Sequence, residues 1–153
     1  MTRGNGRRSG FLGLLGRRDD SAREVVKTED AWREQLTPQQ FRVLRRRGTE
    51  RPFTGEAVEA DADGVYRCAA CDAALFRAEA KFDSGTGWPS FCESESDRES
   101  DSVELRKDVR MGIPRTEVVC RRCGGHLGHV FGDGPGPQRK RYCINGCALA
   151  KSP

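Results

Sequence analysis

Apolar positions along the chain fall into two regimes. Between residues 28 and 47 they recur at helical spacing. Thr37-Pro38-Gln39-Gln40 has the form of a helix start: a threonine N-cap, a proline whose missing N–H is harmless in the first turn, and a glutamine able to close a capping box. Phe41 and Leu44 then share one face, and Gly48 stands where a C-terminal cap belongs. A shorter helical turn over residues 30–36 precedes it, with Trp32 and Leu36 four apart. From Pro52 onward short apolar runs alternate with Gly, Asp and Pro clusters. Residues 65–67, 75–77, 103–107, 117–119, 129–131 and 141–145 are predicted strands. Many short strands between turn signals predict a mainly β, antiparallel domain with short N-terminal helices at one end. The Ser-, Asp- and Glu-rich loop 93–102 is expected to be exposed.

Composition narrows this. With 35% apolar residues in 153 and 18 glycines, the core is thin and the fold turn-rich, so a cross-link or metal would help it. Residues 1–27 read as a disordered basic tail, Gly- and Arg-rich over most of its length, and residues 28–150 as one domain. The net charge of +4 gathers in that tail and around residues 42–51, without the basic face and interleaved aromatics of a nucleic-acid binder. Arg7-Arg8 precedes an apolar run of about five residues, shorter than the roughly 7–15 of a secretory leader. No stretch approaches the roughly 20 apolar residues of a membrane span. Seven cysteines, an odd number, do not suit a disulfide scaffold. A reducing, cytoplasmic setting is expected.

Four of those cysteines form two pairs, Cys68-Ala69-Ala70-Cys71 and Cys120-Arg121-Arg122-Cys123. Two thiolates three residues apart in a tight turn can grip one ion from the same side, and two such turns complete a tetrahedral sulfur shell, the preference of structural Zn²⁺. The 48 residues between Cys71 and Cys120 make the metal a staple between distant hairpins rather than the centre of a compact ribbon. A full sulfur shell leaves no open position for a catalytic water. Two redox CxxC pairs, four unpaired thiols, and a shell that recruits His126 or His129 are the alternatives.

The C-terminal third concentrates different chemistry. Both histidines of the chain lie in Gly125-His126-Leu127-Gly128-His129-Val130-Phe131, and Arg141-Tyr142-Cys143-Ile144-Asn145 follows. On a strand Arg141, Cys143 and Asn145 share one face, with Tyr142 and Ile144 on the other. A nearby arginine favours the thiolate, which is the nucleophilic form. His129 and Phe131 likewise share a face, a proton donor beside an apolar wall. A buried structural cysteine is the alternative reading of Cys143.

These blocks, with Gly48-Thr49-Glu50-Arg51-Pro52-Phe53-Thr54-Gly55 and Lys81-Phe82-Asp83-Ser84-Gly85-Thr86-Gly87-Trp88-Pro89-Ser90-Phe91, resemble the signature blocks of the methionine-R-sulfoxide reductase B family over roughly residues 28–150. The resemblance implies a β-barrel-like fold and reduction of the R epimer of methionine sulfoxide, free or in proteins: an oxidoreductase for protein repair under oxidative stress. It makes Cys143 the catalytic cysteine, Cys68, Cys71, Cys120 and Cys123 the ligands of one structural zinc, and Trp88, His126, His129, Phe131, Arg141 and Asn145 the pocket. Cys143 would attack the sulfoxide sulfur, His129 with His126 would supply the proton, Trp88 and Phe131 would hold the methyl group, and Arg141 and Asn145 would orient water or the thiolate. Cys143 would be left as a sulfenic acid.

Many members carry a resolving cysteine where this chain has Thr86. Cys147 and Cys92 remain as candidate resolvers, beside direct reduction by thioredoxin or another thiol. Four residues of extended strand put Cys147 about 13 Å from Cys143, beyond disulfide reach unless Gly146 bends the chain. A monomer is expected. Rival functions are a zinc-ribbon binding module, a CxxC thiol–disulfide oxidoreductase and a domain of this kind that has lost activity.

Overall fold

The computed structural model of the chain describes residues 20–53, 59–94 and 102–150. The expected tail up to residue 19 and most of the acidic loop 93–102 lie outside the described residues.

Both helices start as their caps dictate. Thr28 Oγ1 accepts the Ala31 N–H at 3.1 Å and opens α1, Glu29–Gln35. Thr37 opens α2, Pro38–Arg46, through a reciprocal box: its hydroxyl accepts the Gln40 N–H at 3.1 Å, and Gln40 Oε1 accepts the Thr37 N–H at 3.0 Å. The stop differs from the expectation. Arg47, not Gly48, takes the left-handed turn, with φ 60°. Gly48 is needed for space instead, since a Cβ there would meet the Arg42 carbonyl oxygen at 3.0 Å.

The rest is β structure. Strands β1 (Val65–Arg67) and β2 (Ala74–Arg77) form an antiparallel hairpin. A second sheet holds β3 (Lys81–Phe82), β4 (Ser90–Phe91), β5 (Val103–Asp108), β6 (Arg115–Cys120), β7 (His126–Phe131) and β8 (Arg141–Ile144) in the order β3-β4-β8-β7-β6-β5, every pair antiparallel. Among the described residues its edges, β3 and β5, do not pair, so the sheet is open and not a closed barrel. The two-residue strands β3 and β4 escape sequence reading because they are too short to show alternation.

The hairpin and the large sheet join through aromatic packing: Phe76 stacks on Phe91 with centroids 4.4 Å apart, and Tyr66 meets Phe91 edge-on at 5.2 Å. Leu75, Val118, Leu127, Tyr142 and Ile144 complete the buried core, against which α2 lays Val43 and Leu44. Residues 20–27 lie against this body. The Val25 N–H bonds the Arg122 carbonyl at 3.0 Å, and Arg23 pairs with Glu104 at 2.9 Å. Among the described residues no helix is long and apolar enough to cross a membrane.

Candidate active site and cysteine cluster

The two CxxC pairs sit on two turns of the same construction. After Cys71 the chain takes a left-handed residue, Asp72 (φ 69°), whose N–H returns to the Cys68 carbonyl at 2.8 Å. After Cys123 it does so at Gly124 (φ 80°), whose N–H returns to the Cys120 carbonyl at 2.7 Å. Each turn therefore aims both its sulfurs to one side. Side chains from elsewhere fix the turns: Arg122 donates to the Cys71 carbonyl at 2.7 Å, Gln35 to that of Ala70 at 2.7 Å and Arg45 to that of Cys123 at 2.9 Å.

All four sulfurs lie within 4.8 Å of one another, with Cys68–Cys123 at 3.8 Å and Cys71–Cys120 at 3.5 Å. A tetrahedral shell with metal–sulfur bonds of about 2.3 Å has sulfur–sulfur edges of about 3.8 Å. The four cysteines are thus positioned to bind one metal ion. Crowding also splits their acidities. Hydrogen bonds from neighbouring thiols, that of Cys120 foremost, hold Cys71 and Cys123 well towards thiolate, while Cys68 and Cys120 are pushed up. Neither histidine belongs to this group.

Cys143 lies apart, near the middle of the large sheet. In register it faces His129 of β7 on one side and Ser90 of β4 on the other. The approach of β7 requires Gly128, where a Cβ would lie 2.0 Å from the Cys143 carbonyl oxygen. Alternation works as the sequence predicts: Tyr142 and Ile144 are buried, while Arg141 and Cys143 are half-buried at a cleft of about 310 Å³. Trp88, His129, Phe131, Arg141, Cys143 and Asn145 all line it. His126 does not. It is buried behind His129, the two rings edge to face at 5.5 Å.

Each histidine is held by a buried carboxylate. His129 Nε2 lies 2.8 Å from Asp108 Oδ2, and His126 Nδ1 lies 2.5 Å from Glu117 Oε2. Burial alone would raise the Asp108 carboxyl. Hydrogen bonds from Arg110 and His129 outweigh that and keep it ionised well below the usual carboxylate range. Burial lowers the His129 imidazole, against the pull of Asp108, so the ring is neutral near pH 7. With Nε2–H given to Asp108, Nδ1 is the nitrogen free to exchange a proton.

Burial also raises the Cys143 thiol, outweighing the opposite effect of Arg141. The expected thiolate-favouring arginine is present but partly spent. Its Nε donates to Asp133 at 2.8 Å and its guanidinium lies over Phe131, 4.5 Å from the ring centroid. Asn145 is spent on backbone: its Oδ1 accepts the Glu50 N–H and its Nδ2 donates to the Leu127 carbonyl, both at 2.9 Å. Glu50 is the hub of that corner. Its carbonyl accepts the Trp88 indole N–H at 2.9 Å, and its buried carboxylate accepts the N–H groups of Gly146 at 2.7 Å and Cys147 at 3.1 Å.

The two remaining cysteines have other surroundings. Gly146 does bend the chain, into a 3-10 turn over Gly146–Ala148. Cys147 on that turn has its thiol pushed up to about 12 by burial and by Glu50. Cys92 is half-buried against the core, beside Gly136. Sequence reasoning missed Glu50, Asp108 and Glu117 and the lining residues Thr49 and Arg115, and it read Thr86 only as the place of an absent resolving cysteine. Alternation gives no signal for the carboxylates, since Asp108 falls in phase with the charged Glu104 and Arg106 and β6 is buried without a break from Glu117 to Cys120.

Fold and site define a small antiparallel β domain that keeps a metal-type cysteine cluster apart from one lone thiol in a cleft. The SelR domain family matches residues 36–153. Curated relatives agree. The peptide methionine sulfoxide reductase MsrB of Thiobacillus denitrificans is 54% identical over 127 residues, 83% of this chain and 94% of its own. Those of Methanosarcina barkeri (54% over 125 residues; 82% and 86%) and Agrobacterium fabrum (50% over 135 residues; 88% and 98%) are similar. The chain belongs to the SelR, or MsrB, family.

Proposed function

We propose that this protein reduces the R epimer of methionine sulfoxide, free or in oxidised proteins, with Cys143 as nucleophile. The observation that carries the reading is the cleft itself: one thiol stands against a carboxylate-held imidazole, His129, and two aromatic walls, Trp88 and Phe131. The apolar walls suit the methyl group of the substrate, whose sulfoxide would then face Cys143. His129 Nδ1 takes the Cys143 proton, with Asp108 stabilising the imidazolium through Nε2. The thiolate attacks the sulfoxide sulfur and the imidazolium returns the proton to the sulfoxide oxygen. Attack forms a transient sulfur–sulfur bond; the oxygen then passes to the Cys143 sulfur as hydroxide, the sulfoxide sulfur–oxygen bond and the sulfur–sulfur bond break, methionine leaves, and Cys143 carries the oxygen as a sulfenic acid. The substrate sulfur gains the electron pair that Cys143 loses.

Arg141, set by Asp133, favours the attacking anion. Asn145 and Glu50 act as positioning residues for Trp88 and for the end of β8. His126 steadies His129 from behind. Regeneration falls to an external dithiol such as thioredoxin, or to two monothiols. One thiol condenses with the sulfenic acid, releasing water, and a second thiol frees Cys143 from the resulting disulfide. The high thiol pKa of Cys147 and the packed setting of Cys92 favour this over either as resolver.

Cys68, Cys71, Cys120 and Cys123 would hold one Zn²⁺, supplying structure rather than chemistry because four sulfurs fill the shell. A reducing, cytoplasmic setting fits seven cysteines that are all free, and a monomer belongs to the same proposal. An assay with separated epimers, first in dithiothreitol and then with thioredoxin, tests the reading. The R epimer is expected to be consumed and the S epimer spared; turnover of the S epimer alone, or of neither, contradicts it.

A further inference from the structure

Thr86 occupies the rim of the cleft that holds Cys143, and its hydroxyl does not stand alone. Thr86 Oγ1 lies 2.8 Å from Ser84 Oγ, and Ser84 Oγ lies 2.7 Å from Ser90 Oγ. Ser90 is fully buried, faces Cys143 in the strand register, and reaches the Trp88 carbonyl at 3.1 Å. Three hydroxyls therefore form a chain from the backbone of the Trp88 loop to Thr86, which lines the same cleft as Cys143. Backbone donors pin it, since Ser84 Oγ accepts the Thr86 N–H at 3.3 Å and Thr86 Oγ1 accepts the Trp88 N–H at 3.4 Å.

Each hydroxyl has one proton to give, so the chain has two directions. When Cys143 is a thiol, the protons run outward, Thr86 to Ser84 to Ser90 to the Trp88 carbonyl. When it is a thiolate, they run inward, Ser90 to Ser84 to Thr86 to sulfur. Rotation of hydroxyls alone converts one into the other. Hydrogen bonding from Thr86 does favour the charged sulfur. The other charged and titratable groups around Cys143 are Arg141 on its own strand with its partner Asp133, His129 on β7 with its partner Asp108, Glu50 before the Trp88 loop, and Arg115 on β6 at the cleft. Arg141 and Arg115 are the standing cations among them. A reorienting hydroxyl can support the anion and then release it without leaving a buried charge unpaired.

We propose that Thr86 is a positioning residue for the Cys143 thiolate, and that Ser84 and Ser90 form a reversible hydroxyl relay that sets it. The proposal rests on Cys143 being the nucleophile, and it gives this chain's Thr86 a task of its own.

The test is the pH dependence of Cys143 alkylation by iodoacetamide, read on the Cys143-containing peptide by fragment mass spectrometry, in the intact metal-loaded protein. Thr86→Val keeps the shape and removes the proton. It is expected to move the midpoint up by about one pH unit, the scale of one hydrogen bond to a charged group, and Thr86→Ser to restore it. Ser84→Ala is expected to move it the same way by less, as loss of cooperativity along a chain should. An unmoved midpoint in Thr86→Val overturns the proposal. A lowered midpoint in Ser84→Ala would mean that Ser84 competes for the Thr86 proton, and overturns the relay. Alkylation needs no sulfoxide, so these outcomes are independent of the epimer assay: failure of that assay with the midpoint moved as expected sinks the substrate reading and leaves the role of Thr86 intact.

Discussion

The cysteine cluster and the Cys143 cleft are neighbours on one pair of strands. Strand β6 ends in Cys120 and carries Glu117; the turn after it holds Cys123; β7 then begins with His126 and runs on to His129. Within a few residues the same hairpin borders two different sulfur environments. In the cluster each sulfur's nearest charged neighbours are other sulfurs, so ionising one opposes ionising the next until a cation joins them. In the cleft Cys143 has no sulfur within that set. Its surroundings are an arginine, a threonine hydroxyl and a buried wall, and the balance keeps its thiol above the usual value. The proposed division between staple and reagent rests on what is packed against each cysteine: crowding with its own kind for the four, isolation beside a proton acceptor for Cys143.

The largest effect that would break this division comes from Cys143→Ser. Turnover of methionine-R-sulfoxide is expected to fall to background while bound metal, measured by atomic emission, stays at one per chain. Residual turnover would move the chemistry elsewhere. Stripping the metal with a chelator acts on the other region. Because metal affinity in such sites is folding free energy, of order 10 kcal/mol, loss of the ion is expected to abolish the cooperative thermal transition. A stripped protein that keeps its transition and gains thiol–disulfide exchange activity would make the CxxC pairs redox centres.

Asp108→Asn sharpens the role of the imidazole. The amide presents a donor or a neutral acceptor where an anion stood, so His129 loses both its tautomer and the support for its charged form. A loss of about a hundredfold in kcat with little change in KM is expected, read from steady-state rates. A smaller effect concerns pH. Since burial raises the Cys143 thiol, its thiolate fraction near neutrality is small and grows as pH rises towards that raised value. Alkylation of Cys143 is expected to quicken by about tenfold per pH unit above neutrality, while the metal-held cysteines stay unlabelled. A rate already flat at pH 7 would place the thiol below its ordinary value.

Much of this was legible in the sequence because its determinants are local. The Thr37–Gln40 box, the two CxxC turns and the alternation of Arg141, Cys143 and Asn145 against Tyr142 and Ile144 are each written within a few consecutive residues. What escaped is non-local. Asp108 stands 21 positions from His129 and Glu117 nine from His126, and each pair meets only once β5, β6 and β7 lie side by side in the sheet. Glu50 gains its place from Asn145 and Cys147, 95 and 97 positions away. Arg47 takes the left-handed turn expected of Gly48, and the room at Gly48 is set by the Arg42 carbonyl oxygen six residues back, which no local pattern announces. The open edge of the sheet likewise depends on whether β3 and β5 meet, which no local pattern specifies.

The most direct test of the division between staple and reagent is a single turnover without reductant. Metal-loaded protein mixed with excess methionine-R-sulfoxide and dimedone is expected to release one methionine per chain and to carry one dimedone adduct, on Cys143, with the metal retained. An adduct on any other cysteine, or one methionine released by Cys143→Ser, would contradict the account.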